Sequence, residues 1–167
     1  MMLQRLARLR VPLGFLAAAF AFWWARPSAT SVLIGGAIAV PGELLRIWAA
    51  GHLNRWREVA RSGPYRFMRH PLYVGSSVMG IGFAVAAWSA VVAALVAVYL
   101  IVTLTAAVRF EARELRQQFG ADYDAYRAGR AMPADRGFSL ERVMANREYR
   151  AAAGLVVTLA VLWWKAQ

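Results

Sequence analysis

Cysteine is absent from this chain, and histidine and acidic residues are scarce. The 167 residues include no cysteine, two histidines and nine acidic side chains. Disulfides, thiolate catalysis and cysteine-ligated metal sites are therefore excluded. His52 and His70 alone are too few to predict a zinc site, so we expect no metal.

Charged residues of either sign are also few, at 17% of the sequence, whereas 60% of the residues are hydrophobic. An average soluble domain has about 25% charged residues. No charge occurs between Pro71 and Val108. As a single helix this stretch would measure about 57 Å, but the hydrocarbon core of a bilayer is only about 30 Å thick, so the stretch must cross twice. We therefore expect an all-α integral membrane protein.

The positive charge is concentrated in three clusters between apolar segments. The formal net charge is +11, and all the basic residues except Arg26 and Lys165 lie at Arg5, Arg8 and Arg10, across residues 46–69 and across residues 109–150. The intervening turns carry almost no charge, which is the positive-inside pattern of multi-pass proteins. The pattern predicts that the N-terminus and all three clusters are cytoplasmic. No nucleic-acid recognition motif accompanies the charge, so we expect no nucleic-acid partner.

The apolar segments predict a single membrane domain over residues 1–167 with about five transmembrane helices. They are expected at residues 11–25, 29–50, 72–88, 90–108 and 151–164, with a tight hairpin between the third and fourth and a cytoplasmic amphipathic segment at 109–150. The first segment is similar to a signal peptide, but Trp23, Trp24 and Arg26 favour an interfacial anchor. The last reaches only about 21 Å as a helix, and we prefer a short or tilted crossing to an interfacial helix.

Two features of the predicted helices allow both a structural and a functional interpretation. Pro41 should kink the second helix, and Glu43 and Arg46 follow it at a spacing that makes them surface neighbours. They could snorkel to the inner interface or form an ion pair that lines a cavity. Small residues, including Gly75, Gly80 and Gly82, line one helix surface, which suits helix packing or a close ligand.

The connections after the hairpin contain clear helix boundaries. Gly120 suits a C-terminal cap of the amphipathic helix, and residues 122–127 should resume a helix. Pro133 and Gly137 should break it, and Ser139 can cap a short basic helix before the last apolar segment.

Residues 63–75 join a basic loop to the start of a membrane helix. Pro71 suits the first helical position and should force His70 into an extended conformation. The N-terminus of this helix could then hold an anion at the cytoplasmic interface. Alternatively, the segment is only a proline-initiated helix with basic anchors such as Arg69.

Three segments of the chain resemble the isoprenylcysteine carboxyl methyltransferase and phospholipid methyltransferase superfamily. Residues 63–66 and 69–75, GPYR and RHPLYVG, are similar to its signature. Residues 42–49, GELLRIWA, resemble its second-helix pattern, and residues 111–126 resemble its segment of Glu, Leu, Phe-Gly and two Tyr residues. The resemblance covers about residues 42–133.

The resemblance implies a methyltransferase that uses S-adenosylmethionine, with a cofactor pocket at the cytoplasmic end of the hairpin. The residues that would hold the cofactor are His70, Pro71, Tyr73, Gly75 and Glu111. A carboxylate such as Glu111 can pair with the cofactor's ammonium or accept from its ribose hydroxyls. It could also be a solvated carboxylate paired with Arg109 or Arg113. The family usually has a second Glu where this chain has Ala112, so Glu111 suffices, Glu114 contributes, or cofactor affinity is weaker.

The methyl acceptor implied by the resemblance is lipophilic or embedded in the membrane. If it is an anion, Arg69 and Arg109 are the candidates to orient it during catalysis; otherwise they are interface anchors. Two other functions stay open at this point. One is a nicotinamide-dependent reductase of the sterol-reductase type, and the other is a non-enzymatic module that binds anionic lipids or a partner helix.

Overall fold

A computed structural model describes residues 18–55, 57–130, 132 and 134–167, and the regular structure in these residues is entirely helical. The helices are α1 (residues 18–24), α2 (Ala29–His52), α3 (Pro71–Ala87), α4 (Ala90–Arg127), α5 (Leu140–Ala145) and α6 (Tyr149–Lys165), with a 3₁₀ turn at Gly63–Arg66. Residues 11–17 of the predicted first helix, the cluster Arg5, Arg8 and Arg10, and Pro133 lie outside the described residues.

The turn between α1 and α2 is fixed by its polar groups. Ser28 caps α2 by accepting a hydrogen bond from the backbone N–H of Ser31 at 3.1 Å. The Ser31 hydroxyl donates to the carbonyl of Ala86 at 3.0 Å, and the N–H of Arg26 donates to Ala87 at 2.8 Å. The turn therefore packs against the C-terminal end of α3.

Helix α2 continues through Pro41 to His52 and packs mainly against α3. The two backbones approach closely at glycines: a Cβ atom added to Gly75 would lie 2.6 Å from the carbonyl oxygen of Gly42. A Cβ added to Gly82 would lie 2.7 Å from the backbone nitrogen of Ala39. Such contacts exclude any larger side chain, so Gly75 and Gly82 serve helix packing against α2. Contrary to the expectation, Gly80 does not share their surface, because a Cβ atom there would lie 2.5 Å from Cδ1 of Leu100 in α4.

Helices α3 and α4 form the expected hairpin. Trp88 adopts a left-handed conformation with φ of 46°, and Ser89 caps α4. Helix α4 then runs for 38 residues from the apolar stretch into the amphipathic stretch, interrupted at Gly120, where φ is 45°. Among the described helices, α2 and α4 are long and apolar enough to span a membrane, while α3 is shorter at 17 residues.

The C-terminal part returns across the bundle. Ser139 caps α5 by accepting from the N–H of Arg142 at 3.4 Å, as the sequence predicts. Helix α6 packs on α2 and α3, where Leu155 joins a buried cluster with Ala39 and Met79. At its end, the Lys165 ammonium donates to the Trp23 carbonyl at 3.3 Å, which ties the ends of α6 and α1 together.

Candidate functional site

A cleft lies where the loop after α2, the start of α3 and the amphipathic end of α4 meet. The loop contributes Leu53, Arg55, Glu58, Val59, Ala60 and Tyr65; the α3 start contributes Arg69 and His70; and α4 contributes Glu111, Leu115, Tyr123, Tyr126 and Arg127. All three segments are connections or helix ends rich in arginine. They bring acidic, basic and aromatic side chains to one place.

Glu111 lies at the centre of a small polar group in this cleft. Its Oε2 is 3.6 Å from Nδ1 of His70, and the rings of His70 and Tyr73 stack with centroids 5.5 Å apart. Glu111 lies beyond the uncharged stretch of α4. Burial acts to raise the pKa of this carboxyl, but hydrogen bonds from His70 and Tyr73 outweigh it and leave the pKa below its usual value. Glu111 is therefore an anion held ready for a cationic or hydroxyl-bearing ligand.

Aromatic side chains form the inner wall of the cleft. Tyr65 and Tyr123 are buried, and the Tyr126 hydroxyl donates to the Tyr65 carbonyl at 3.4 Å. Burial raises the pKa of the Tyr65 phenol well above its usual range, with the Glu111 charge adding to the effect. The phenol therefore stays neutral, and these rings present flat, largely apolar surfaces.

Three guanidinium groups at the cleft have no acidic partner within 4.0 Å among the described residues. They belong to Arg55, Arg69 and Arg127, which are all exposed. By contrast, Glu58 at the same cleft forms an ion pair with Arg136. The cleft therefore offers free positive charge beside the anionic Glu111.

The residues that the sequence predicts for the site fall into two groups. Arg69, His70 and Glu111 line the cleft, and Tyr73 reaches it by its contacts with His70 and Glu111. Pro71, by contrast, is fully buried at the first position of α3.

Gly75 and Arg109 lie apart from the cleft lining. Gly75 faces α2, and a Cβ there would lie 2.6 Å from Cγ of Arg46. Arg109 is exposed on α4 and does not line the cleft.

The backbone at the start of α3 differs from the extended form expected before Pro71. His70 has φ of −132° and ψ of 59°, so it is non-helical but turned further than a β conformation. The His70 carbonyl accepts from the N–H groups of Tyr73 and Val74 at 3.0 and 3.1 Å. The helix start therefore offers an anion fewer free N–H groups than the sequence suggests.

Glu43 and Arg46, the second pair that the sequence singles out, belong to a buried ion-pair cluster. Arg46 lies 3.6 Å from Glu43 and 2.5 Å from Glu148, and it also donates to the Ser76 hydroxyl. Glu43 and Glu148 are 4% and 5% exposed. This burial within the helix bundle favours the ion-pair interpretation over snorkelling to the interface.

Sequence reasoning missed several polar residues of the cleft, among them Arg55, Glu58 and Arg127. They lie in a loop and near the end of a helix, where no periodicity marks one face. The charge of residues 46–69 is the only sequence signal for Arg55 and Glu58, and it indicates topology as readily as ligand binding.

The fold and the cleft define an α-helical protein with long apolar helices and a polar site at the ends of several helices. The family model of phospholipid methyltransferases matches residues 13–122. The chain therefore belongs to the phospholipid methyltransferase family, an integral membrane family within the superfamily that its motifs resemble. Searches of curated proteins and of solved structures each found no match.

Family membership decides between the functions that the sequence left open. Members of this family are S-adenosylmethionine-dependent methyltransferases, and this protein is accordingly an enzyme that uses S-adenosylmethionine to methylate a lipid acceptor. The match favours neither a nicotinamide-dependent reductase nor a non-enzymatic lipid-binding module.

Proposed function

We propose that the cleft around Glu111 binds S-adenosylmethionine and that the methyl group passes to the head group of a lipid at the cytoplasmic membrane surface. The observation that carries the proposal is the grouping of His70, Tyr73 and the charged Glu111 beside Arg69, which has no acidic partner in the described part of the chain. The family's cofactor carries both positive and negative charges, and these four residues present both signs of charge within one cleft.

The side chains of the cleft fit the chemical groups of the cofactor. The Glu111 carboxylate can accept hydrogen bonds from an ammonium or from ribose hydroxyls, and a guanidinium such as Arg55 or Arg127 can pair with a carboxylate. The rings of Tyr65 and Tyr123 offer flat surfaces for a purine. The donors, acceptors and aromatic surfaces that an amino-acid nucleoside requires are therefore all present.

A carboxylate acceptor has no proton to lose, so the residues of the site act on it by alignment alone, whereas an amine head group must also release one proton to solvent. The cofactor supplies a methyl group on a positively charged sulfur. His70 and Tyr73 hold Glu111 in one orientation, and the buried tyrosines limit access of water. Arg69, at the mouth of the same cleft, suits an anionic group of the acceptor. Arg109 lies outside the cleft, and we assign it to the membrane interface as an anchor.

The acceptor reaches this site from the bilayer. Phe67 and Phe110 are 79% and 57% exposed, and they lie close in sequence to Arg69 and Glu111. Apolar side chains at these positions suit contact with acyl or prenyl chains, while the polar cofactor reaches the cleft from water. We favour an acceptor whose head group carries a negative charge, as a phospholipid or a prenylated cysteine carboxylate does.

The proposed arrangement in the membrane has five crossings, formed by the predicted first helix at residues 11–25, of which α1 is the described end, and by α2, α3, α4 and α6, with the cleft on the cytoplasmic side. The support is the arginine distribution, because the turns at Arg26–Ser28 and at Trp88–Ser89 are poor in charge. Helix α6 has 17 residues and ends at Lys165, which is long enough for a short or tilted crossing.

The proposal is tested by methyl transfer to lipids. The purified protein in vesicles is given S-adenosylmethionine labelled in its methyl group, with phosphatidylethanolamine or a prenylated cysteine as acceptor. We expect label in the lipid extract with the natural protein, at least about tenfold less with Glu111→Gln, and little change with Glu114→Gln, which lies outside the cleft. Undiminished transfer by Glu111→Gln would refute the site assignment.

A further inference from the structure

We propose that Arg136 is a positioning residue for cofactor binding, because its ion pair with Glu58 holds the loop wall of the cleft in place. Arg136 belongs to the segment of residues 134–148, here called the strap, which lies after the part of the chain matched by the family model. The inference rests on the proposed function of the cleft.

The first part of the strap is bound to the loop between α2 and α3. The N–H of Ala134 donates to the carbonyl of Arg61 at 3.3 Å. Arg66 in turn donates to the carbonyl of Ala134 at 2.9 Å and to the carboxylate of Asp135 at 3.3 Å. The strap therefore meets the loop just before the 3₁₀ turn, at Arg61, and at the last residue of that turn, Arg66.

The other part of the strap is bound to the end of α2. Arg142 Nε donates to the Gly51 carbonyl at 2.7 Å, and the Asn146 amide donates to the carbonyls of Ala50 and Leu53 at 3.1 and 2.9 Å. The last carbonyls of a helix have no partner within the helix, so these hydrogen bonds stabilise the attachment of the strap to the end of α2. Its two attachments do not depend on Arg136.

Between these attachments, the side chain of Arg136 contacts the cleft wall directly. Its guanidinium donates two hydrogen bonds to the two carboxylate oxygens of Glu58, with Nη2 2.8 Å from Oε2. A paired fork of this kind fixes orientation as well as distance. Glu58 itself lines the cleft, and the described residues around it, 53–55 and 57–62, form no helix or strand. The ion pair is thus positioned to order a loop whose described residues belong to no helix or strand.

An ordered wall lowers the cost of binding, because the loop need not be fixed when the ligand arrives. Loss of Arg136 should therefore weaken the binding of S-adenosylmethionine while the chemical step, which depends on residues across the cleft, proceeds at a similar rate. If the ion pair only stabilised the fold, its loss would not weaken the binding of S-adenosylmethionine while leaving the rate of the chemical step unchanged.

The test compares Arg136→Gln, Glu58→Gln and the exchanged double variant Glu58→Arg with Arg136→Glu. We expect KM for S-adenosylmethionine and Kd for S-adenosylhomocysteine to rise about tenfold in each single variant, with kcat within about twofold of the natural value. The exchanged pair should recover much of the affinity. Arg130→Gln, an exposed arginine outside the cleft, is the matched control and should leave affinity and kcat unchanged.

The outcomes separate this inference from the proposed function. If the natural protein binds S-adenosylhomocysteine and Arg136→Gln binds it equally well, the positioning role is wrong and the cleft assignment stands. An equal loss of kcat and affinity, together with a lower melting temperature, would also overturn the role, because it would mark a structural ion pair. If the natural protein does not bind the ligand, the proposed function fails and this inference fails with it.

Discussion

The Glu111 carboxylate shows how single residues shape this site. It is partly buried, yet His70 and Tyr73 offset the cost of its charge by hydrogen bonding. A group whose folded pKa is depressed keeps its charge until the pH falls below the ordinary value for glutamate, about 4.3. The charge that we assign to cofactor binding is therefore fully present at neutral pH and is lost only in acid.

Replacing Tyr73 by Phe should show how far ligand binding depends on the charge of Glu111. Removal of the hydroxyl deletes one hydrogen bond to a charged group, which is worth about 1.5–3 kcal/mol, and raises the pKa of Glu111. We expect S-adenosylhomocysteine to bind about tenfold more weakly at pH 7 and the acid limb of the binding profile to move to higher pH. Tyr99→Phe, in the apolar stretch of α4, is the control. An unchanged acid limb in Tyr73→Phe would contradict the assigned hydrogen bond.

Replacement of Arg46 should lower the stability of the fold, whereas replacement of Tyr73 should weaken ligand binding. It is the cation between two buried carboxylates, Glu43 and Glu148. Removing one partner of a buried ion pair leaves an uncompensated charge and typically costs about 3–5 kcal/mol. Arg46→Met should therefore lower the melting temperature in detergent strongly, whereas Arg113→Met, at an exposed position, should not. Equal melting temperatures for the two variants would mean that the cluster does not stabilise the fold.

At the scale of elements, the contact between α2 and α3 depends on the absence of side chains. A Cβ at Gly82 would meet backbone atoms of Gly35 and Ala39 within 2.7 Å, and backbone cannot move aside as a flexible side chain can. Overpacking of this kind costs about 1–3 kcal/mol.

The matched comparison is Gly82→Ala against Gly154→Ala. Gly154 lies in α6, and a Cβ atom added there would have no described neighbour within 4 Å. Alanine at this position should therefore be neutral or stabilise by up to about 1 kcal/mol through helix propensity. Thermal unfolding of both variants in the same detergent measures the difference. A loss of stability in Gly154→Ala alone would contradict the packing.

The elements themselves were largely predictable from the sequence because local signals mark them. Ser28 and Ser139 cap helices as their residue type suggests, and the left-handed Gly120 interrupts α4 where a cap was expected. Helix α2 runs two residues beyond its predicted end, and carbonyls at that end accept hydrogen bonds from the strap. Local sequence carries no information about a segment more than 90 residues away.

The whole molecule belongs to a family of membrane enzymes, and the polar residues of its cleft come from a loop and from parts of α3 and α4. The motifs predicted that His70, Tyr73 and Glu111 would share a site, and the structure places these three together. Glu58 and Arg136 could not have been predicted, since their contact depends on the return path of the chain after α4. Long-range pairing of this kind follows from the assembled fold and not from periodicity.

The orientation in the membrane can be tested because the protein has no cysteine of its own. Single cysteines are introduced at Gln117, in the amphipathic part of α4, and at Ala90, beside the hairpin turn; both positions are exposed. We expect a membrane-impermeant maleimide to label Gln117→Cys only from the cytoplasmic side and Ala90→Cys only from the opposite side. Labelling of both from one side would overturn the proposed crossings of α3 and α4.

The central claim is that the cleft around Glu111 binds S-adenosylmethionine, and ligand-induced stabilisation in detergent tests it most directly. A ligand that binds only the folded state stabilises it by about 2.7 kcal/mol at a hundredfold excess over Kd. We predict that S-adenosylhomocysteine raises the melting temperature of the natural protein by several degrees and leaves that of Glu111→Gln unchanged. An equal rise in both proteins, or no rise in the natural protein at millimolar ligand, would contradict the claim.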